Sequence, residues 1–184
     1  MNSLNACKHP LERFVHCPVC GSTRFAASSE KSKKCGDCGF EYFMNSAAAA
    51  VAIIEDGAGH VLVARRKNEP AQGTLDLPGG FCDCGESAER GVAREVMEET
   101  GLRVTEVRYL FSLPNVYPYS GMDICTTDLF FLCRVEPGTP TAMDDAAELV
   151  WMAWDELRPA DFGLQSICKG VTLLLAKRGL TRRT

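Results

Sequence analysis

The stretch REVMEETG, Arg94 to Gly101, sets three glutamates and an arginine within eight residues. Two kinds of chemistry go with such crowding. One is a solvated helix face, where acids simply meet water. The other is a metal site, because crowded oxygen ligands select a hard divalent cation, Mg²⁺ or Mn²⁺, of the kind that serves phosphoryl chemistry. At about 100° per residue, Glu95, Glu98 and Glu99 fall within roughly a 100° arc of a helix. Ala88, Val92, Ala93, Val96 and Met97 take the neighbouring arc, which must face a core. The acids therefore line the edge of a buried face. Like charges three and four apart destabilise a helix unless a cation neutralises them. Just upstream, Pro78-Gly79-Gly80 makes a turn free of side chains, where a backbone carbonyl and a diphosphate could both approach metal ions. The helix alone leaves both readings open.

A second set of ligand-type residues lies earlier. CPVC (Cys17, Cys20) and CGDC (Cys35, Cys38) are two Cys-x-x-Cys turns separated by fourteen residues. Each brings two thiolates to one side of a tight turn, and the two together complete a tetrahedral four-sulfur site for Zn²⁺. Gly21, Gly36 and Gly39 flank the turns, where backbone amides must face sulfur. Four unrelated buried cysteines are the plain alternative; a redox pair fits less well, given two copies and no surrounding βαβ pattern. Four protein ligands leave no open coordination position, so the zinc is structural, and it supplies folding energy to a ribbon too small to build a core. Lys31, Lys33 and Lys34 read as the solvated tip of the intervening loop. The other cysteines, at 7, 82, 84, 125, 133 and 168, form no second set.

The elements that must hold these groups follow from the rest of the chain. Its 184 residues amount to one ordinary domain with a small appendage. A hydrophobic content of 46% with 24% charged residues is that of a globular chain. A net charge of −4 offers no footprint for nucleic acid or anionic membrane. No apolar run reaches bilayer length, the longest being AAAAVAII, and the first residues lack the apolar core of a signal peptide. Ten cysteines without a secretion signal point to reduced thiols, metal binding and a cytoplasmic protein. A homodimer is a possible assembly.

Composition breaks near Asn45, which divides a ribbon at 1–44 from a larger domain at 45–184. AAAAVAIIE and HVLVARR are strand-like runs separated by DGAG. TLDLPGGFCD is extended with a Pro-Gly-Gly interruption. Ser87 to Thr100 is a helix with Ser87 as N-cap and Gly101 as its stop. RVTEVRYLFSL, TTDLFFLCRVE and AELVWMAW read as strands with a loop around Tyr117 and Tyr119, and Ser166 to Arg178 as a closing helix. Strands interleaved with two helices predict an α/β fold, a mixed sheet packed between helices.

From Gly80 the chain reads GFCDCGESAERGVAREVMEETGL. This resembles the Nudix box, GX5EX7REUXEEXGU with U aliphatic, and it agrees at every specified position. The resemblance extends over about residues 45–180, through VLVARR and EPAQGTLDLPGGF (with Leu75 where tryptophan is common) to PTAMDDAAELVWMAWDEL. It implies an α/β/α sandwich and a Mg²⁺- or Mn²⁺-dependent hydrolase of nucleoside diphosphate derivatives. By the same resemblance Glu95 and Glu99 are the principal metal ligands, Glu98 a supplementary one, and the Gly79 carbonyl completes a site. Glu95, Asp145 and Glu148 are candidate bases for the attacking water. Arg94 and Glu86 resemble a pair bracing the loop against the helix, although Glu86 also suits a helix's first turn.

A zinc ribbon ahead of such a domain resembles the NAD(H) pyrophosphatase branch, which carries SQPWPFPxS after the box; here SLPNVYPYS, Ser112 to Ser120, keeps Ser112, Pro114, Pro118 and Ser120. Pro118, sixteen residues past Leu102, also stands where ADP-ribose pyrophosphatases tend to carry proline. Both likenesses imply an adenine nucleotide with a ribosyl arm, with Gly79 and Gly80 near its diphosphate and Tyr117, Pro118 and Tyr119 near its base. An enzyme acting on a nucleotide cofactor at an RNA 5′ end and a non-catalytic nucleotide sensor are the alternatives.

Overall fold

A computed structural model describes residues 9–180. They fall into two compact units. The first runs through Ser46 and also takes in Pro118–Ile124; the second holds Ala47–Tyr117 and the chain from Cys125 onward.

In the first unit, β1 (Phe25–Ser29), β2 (Ser32–Cys35) and β3 (Glu41–Phe43) form an antiparallel sheet in that order. Among the described residues its apolar cluster is Cys17, Phe25 and Cys35 with Phe40 against them, and Leu11 is buried as well. So small a core needs a staple. Lys33 and Lys34 lie in β2 itself, not at a loop tip, and the Lys33 ammonium donates to the Phe14 carbonyl at 2.8 Å.

In the second unit the unbroken apolar run becomes β4 (Ala47–Ile54), the reason being burial on both faces. Ala50, Ala52 and Ile54 pack with Val92 and Val96 of α1 (Ala88–Thr100). Val51 and Ile53, on the opposite face, pack with Val171, Leu174 and Leu175 of α2 (Gln165–Lys177). Helices thus cover both sides, and the α/β/α sandwich follows from the strand's alternation. β5 (His60–Arg66), β6 (Leu75–Asp76), β7 (Gly79–Phe81), β8 (Val104–Tyr119), β9 (Met122–Val135) and β10 (Ala146–Ala153) complete the strands. They divide between two sheets, β10-β5-β6 and β7-β4-β9-β8. The second is mixed: β4 runs parallel to β9 and antiparallel to β7.

One expected loop is a strand. β8 continues through Pro114 and Pro118 to a turn at Ser120-Gly121 before returning as β9. Proline lacks the N–H that an interior strand must donate, but β8 is last in its sheet, where an outward-facing position needs no donor.

Candidate active site

Helix α1 begins at Ser87, whose hydroxyl accepts from the Arg90 amide at 3.4 Å. It stops at Gly101, left-handed at φ 70°, whose N–H donates to the Met97 carbonyl at 3.0 Å. Burial of Val92 and Val96 sets the rotation of the helix and leaves Glu95, Glu98 and Glu99 along its edge. There they meet β7. The Gly79 N–H donates to Glu99 Oε2 at 3.0 Å. A methyl group at Gly79 would fall 2.1 Å from the Ala50 carbonyl oxygen, and one at Gly80 would fall 2.5 Å from Glu95 Oε1. Glycine lets β7 lie this close to β4 at residue 79 and to the helix acid at residue 80.

Arg94 organises the acids. Its Nη1 donates to Glu95 Oε1 at 2.9 Å and to Glu98 Oε2 at 2.8 Å. Its Nη2 donates to Glu86 Oε1 at 2.7 Å and to the Phe81 carbonyl at 3.0 Å. Glu86 also accepts from the Asp83 amide at 2.6 Å. The loop after β7 is fastened to the helix by this pair, and the Arg94 hydrogen bond holds the Glu86 carboxyl below its usual range.

Glu99 is different. Among the described residues it has no cationic partner, only the Gly79 amide. Burial pushes its carboxyl up to about 8, opposed by that amide and reinforced by the charges of Asp76, Glu95 and Asp145. Burial raises Glu95 as well, against the pull of Arg94. Two desolvated carboxylates on one edge are an arrangement that a divalent cation completes.

A cavity of about 400 Å³ opens over these groups. Gly79, Gly80, Arg94, Glu95, Glu98 and Glu99 line it, and Asp144 and Asp145 join them from the segment before β10. Asp145 accepts from the Asn68 amide at 2.8 Å. Glu148 is not on this lining. The β10–β5 ladder slips between Ala146, opposite Arg66, and Glu148, opposite Arg65, and the Glu148 carboxylate accepts from Arg65 Nε at 3.1 Å. Tyr117 lines the cavity, its hydroxyl accepting from Arg66 Nη2 at 3.3 Å and its ring edge-on to Phe81. Pro118 and Tyr119 belong to the first unit and are not on the lining.

Sequence reasoning missed several lining residues: Asp144 and, buried in the cavity wall, Asp76, Asn115, Thr126 and Asp128. Asp76 takes the Arg66 Nη1 donor at 2.5 Å while burial pushes its carboxyl up. A charged residue in the apolar run TTDLFF was the one available signal for Asp128.

In the first unit the sulfurs of Cys17, Cys20, Cys35 and Cys38 all lie within 4.8 Å of one another, a spacing one metal ion would bridge. The Asp37 and Cys38 amides point at Cys35 Sγ, at 3.4 and 3.5 Å, and the Cys38 amide is the main influence lowering that thiol to about 7. Gly21 and Gly39 take positive φ, 74° and 76°, where each turn closes.

The class defined by fold and site is an α/β/α sandwich whose helix carboxylates gather at a diglycine strand. The chain belongs to the NUDIX family, residues 44–167 matching the family profile described as a NUDIX domain. The ADP-ribose pyrophosphatase of Methanocaldococcus jannaschii is 33% identical over 132 residues, 71% of this chain and 75% of that protein. The NAD-capped RNA hydrolase NudC of Vibrio vulnificus is 28% identical over 151 residues, 82% of this chain but 55% of that protein. The chain thus spans about half the length of the relatives with that name. Among solved structures, a NUDIX hydrolase from Nitrosomonas europaea shares the fold with a TM-score of 0.72 at 22% identity, over 92% of this chain and 94% of that one.

Proposed function

We propose that the protein hydrolyses the diphosphate linkage of a nucleoside diphosphate derivative, ADP-ribose or NAD(H), with Mg²⁺ or Mn²⁺ as its cation. The observation that carries this is Glu99, a half-buried carboxylate with no cationic partner among the described residues, set beside Glu95 at the diglycine strand and on the cavity wall. The donor set suits a hard cation: Glu95 and Glu99 would hold it, with Glu98 and the Gly79 carbonyl in support. When bound, such an ion neutralises phosphate oxygens and makes a bound water more acidic.

The chain's own groups do the rest. Arg94 holds Glu95 and Glu98 in place and ties the loop of Glu86 to the helix. Asp145, on the cavity wall, is better placed than Glu148 to accept the proton of the attacking water; Glu95 is the other candidate. Water oxygen bonds to one phosphorus, the bridging P–O bond breaks, and the leaving phosphate takes up the proton. ADP-ribose would yield AMP and ribose 5-phosphate, and NAD(H) would yield AMP and a nicotinamide mononucleotide.

Alignment with the NAD-capped RNA hydrolase of Vibrio vulnificus, over 151 residues, reaches beyond the family match at 44–167, which favours a second reading in which the same diphosphate stands at an RNA 5′ end. Salt-dependent binding of RNA would separate the two. The four sulfurs of the first unit suit structural Zn²⁺, and ten cysteines used in this way suit a reducing, cytoplasmic setting. Among the described residues no helix is long and apolar enough to cross a membrane.

The test is a panel of ADP-ribose, NAD⁺, NADH, FAD, diadenosine polyphosphates, UDP- and GDP-sugars and 8-oxo-dGTP, scored by kcat/KM with Mg²⁺ or Mn²⁺. Preference for a nucleoside triphosphate or a non-adenine sugar nucleotide would overturn the assignment.

A further inference from the structure

The cavity that carries the acids has a second, differently built wall. Asn115 of β8 lies on it, only 8% exposed, and among the described residues its amide has no hydrogen-bond partner. Among the described residues no fully buried side-chain nitrogen or oxygen is left unbonded, so the Asn115 amide keeps some exposure, and the cavity is what it lines. A nearly buried amide without a partner is costly, and a ligand would remove that cost.

Its neighbours on the wall limit what the ligand is. Asp128 of β9, 4% exposed, accepts from the hydroxyls of Thr126 and Ser166, which fix the carboxylate and leave it further lone pairs. Among the described residues each cation lining the cavity is engaged by an acid: Arg66 by Asp76, Arg65 by Glu148, and Arg94 by Glu86, Glu95 and Glu98. Buried carboxylates disfavour phosphate here. Val51, Leu77, Leu164 and Ile167 make the remaining surface apolar, which suits a flat heterocycle better than a hydroxyl-covered sugar.

We infer that Asn115 and Asp128 read the nucleobase of the substrate and select one with an exocyclic amino group, adenine over hypoxanthine. A side-chain amide presents a donor and an acceptor in one plane and pairs with the adenine amino group and its adjacent ring nitrogen. Asp128 accepts the second amino hydrogen. In hypoxanthine an oxygen stands at that position, setting acceptor against carboxylate and leaving buried groups unpaired. The inference rests on the proposed nucleotide hydrolysis and adds its base preference.

The test compares ADP-ribose with its hypoxanthine counterpart, IDP-ribose, for the wild type, Asn115→Leu and Asp128→Asn. The wild type should prefer the adenine substrate by roughly 10–100-fold in kcat/KM. Asn115→Leu should lose most of that factor on ADP-ribose and change less than about threefold on IDP-ribose, since the native amide bonds nothing in the protein. Asp128→Asn, which keeps the shape, should narrow the preference as well. Equal losses on both substrates, or no preference in the wild type, would overturn the inference. Should the wild type hydrolyse neither, the proposed function fails. Calorimetric binding of ADP against IDP to wild type and Asn115→Leu then decides the base reading alone, equal affinities rejecting it.

Discussion

Replacing Gly80 with alanine should disable the site while leaving the fold intact. The added methyl would lie 2.5 Å from Glu95 Oε1, 2.6 Å from its Cδ and 2.7 Å from Oε2. Ordinary contact begins near 3.5 Å, so the carboxylate must retreat by about 1 Å. Mg²⁺ holds oxygen at about 2.0–2.1 Å, and a working ligand must stay within about 0.2 Å of such a distance. A shift several times that tolerance removes Glu95 as a ligand, and a misplacement of about 1 Å costs on the order of 100-fold in rate. Stability should move by no more than about 1 kcal/mol, because the displaced atoms end a flexible side chain and alanine is the better strand residue. Gly79→Ala is the contrast: its methyl would strike the Ala50 backbone oxygen at 2.1 Å, from φ 153°, and the variant should unfold early. The assay is kcat/KM on ADP-ribose as a function of Mg²⁺, beside thermal melting. Wild-type turnover and Mg²⁺ dependence in Gly80→Ala would refute the placement of Glu95.

Other perturbations act on separate parts. Arg94→Lys cannot span Glu86, Glu95, Glu98 and the Phe81 carbonyl at once, so denaturant unfolding should show a loss of about 1–3 kcal/mol together with lower turnover. In Mg²⁺-free buffer the larger domain should melt at lower temperature as pH rises from about 5 to 8. The sign follows from Glu99: with its carboxyl raised to about 8, the native state keeps a proton that the unfolded chain releases, so stability falls across that window. A flat or rising profile would contradict the desolvation of Glu99, and added Mg²⁺ should lessen the fall. Purified protein should carry about one Zn²⁺ per chain by elemental analysis, and Cys35→Ser should lose it while the larger domain keeps its melting transition.

The parts of the fold that could be read in advance are those where one physical demand dominates. β4 must be apolar on both faces, so AAAAVAII declares itself. α1 carries its own start and stop in Ser87 and Gly101, and its acids share an edge by period alone. The course of β8 was hidden because Pro114 and Pro118 signal a loop until the strand is known to be an edge. The cavity's second wall was hidden for another reason. Asn115, Thr126 and Asp128 are polar residues within two strands, with no spacing between them to notice. Asp145 and Glu148 looked equivalent in the chain; the slip of the β10 ladder separates them, leaving Glu148 beside Arg65.

The most direct test is the fate of ADP-ribose in saturating Mg²⁺, with products resolved by chromatography, for wild type and Glu99→Gln. The substitution keeps the helix and removes a carboxylate whose partner among the described residues is the Gly79 amide, so melting should barely change. Wild type should give AMP and ribose 5-phosphate in equal amounts, and Glu99→Gln should be slower by at least roughly 100-fold. Near-normal turnover in Glu99→Gln, or products other than this pair, would contradict the account.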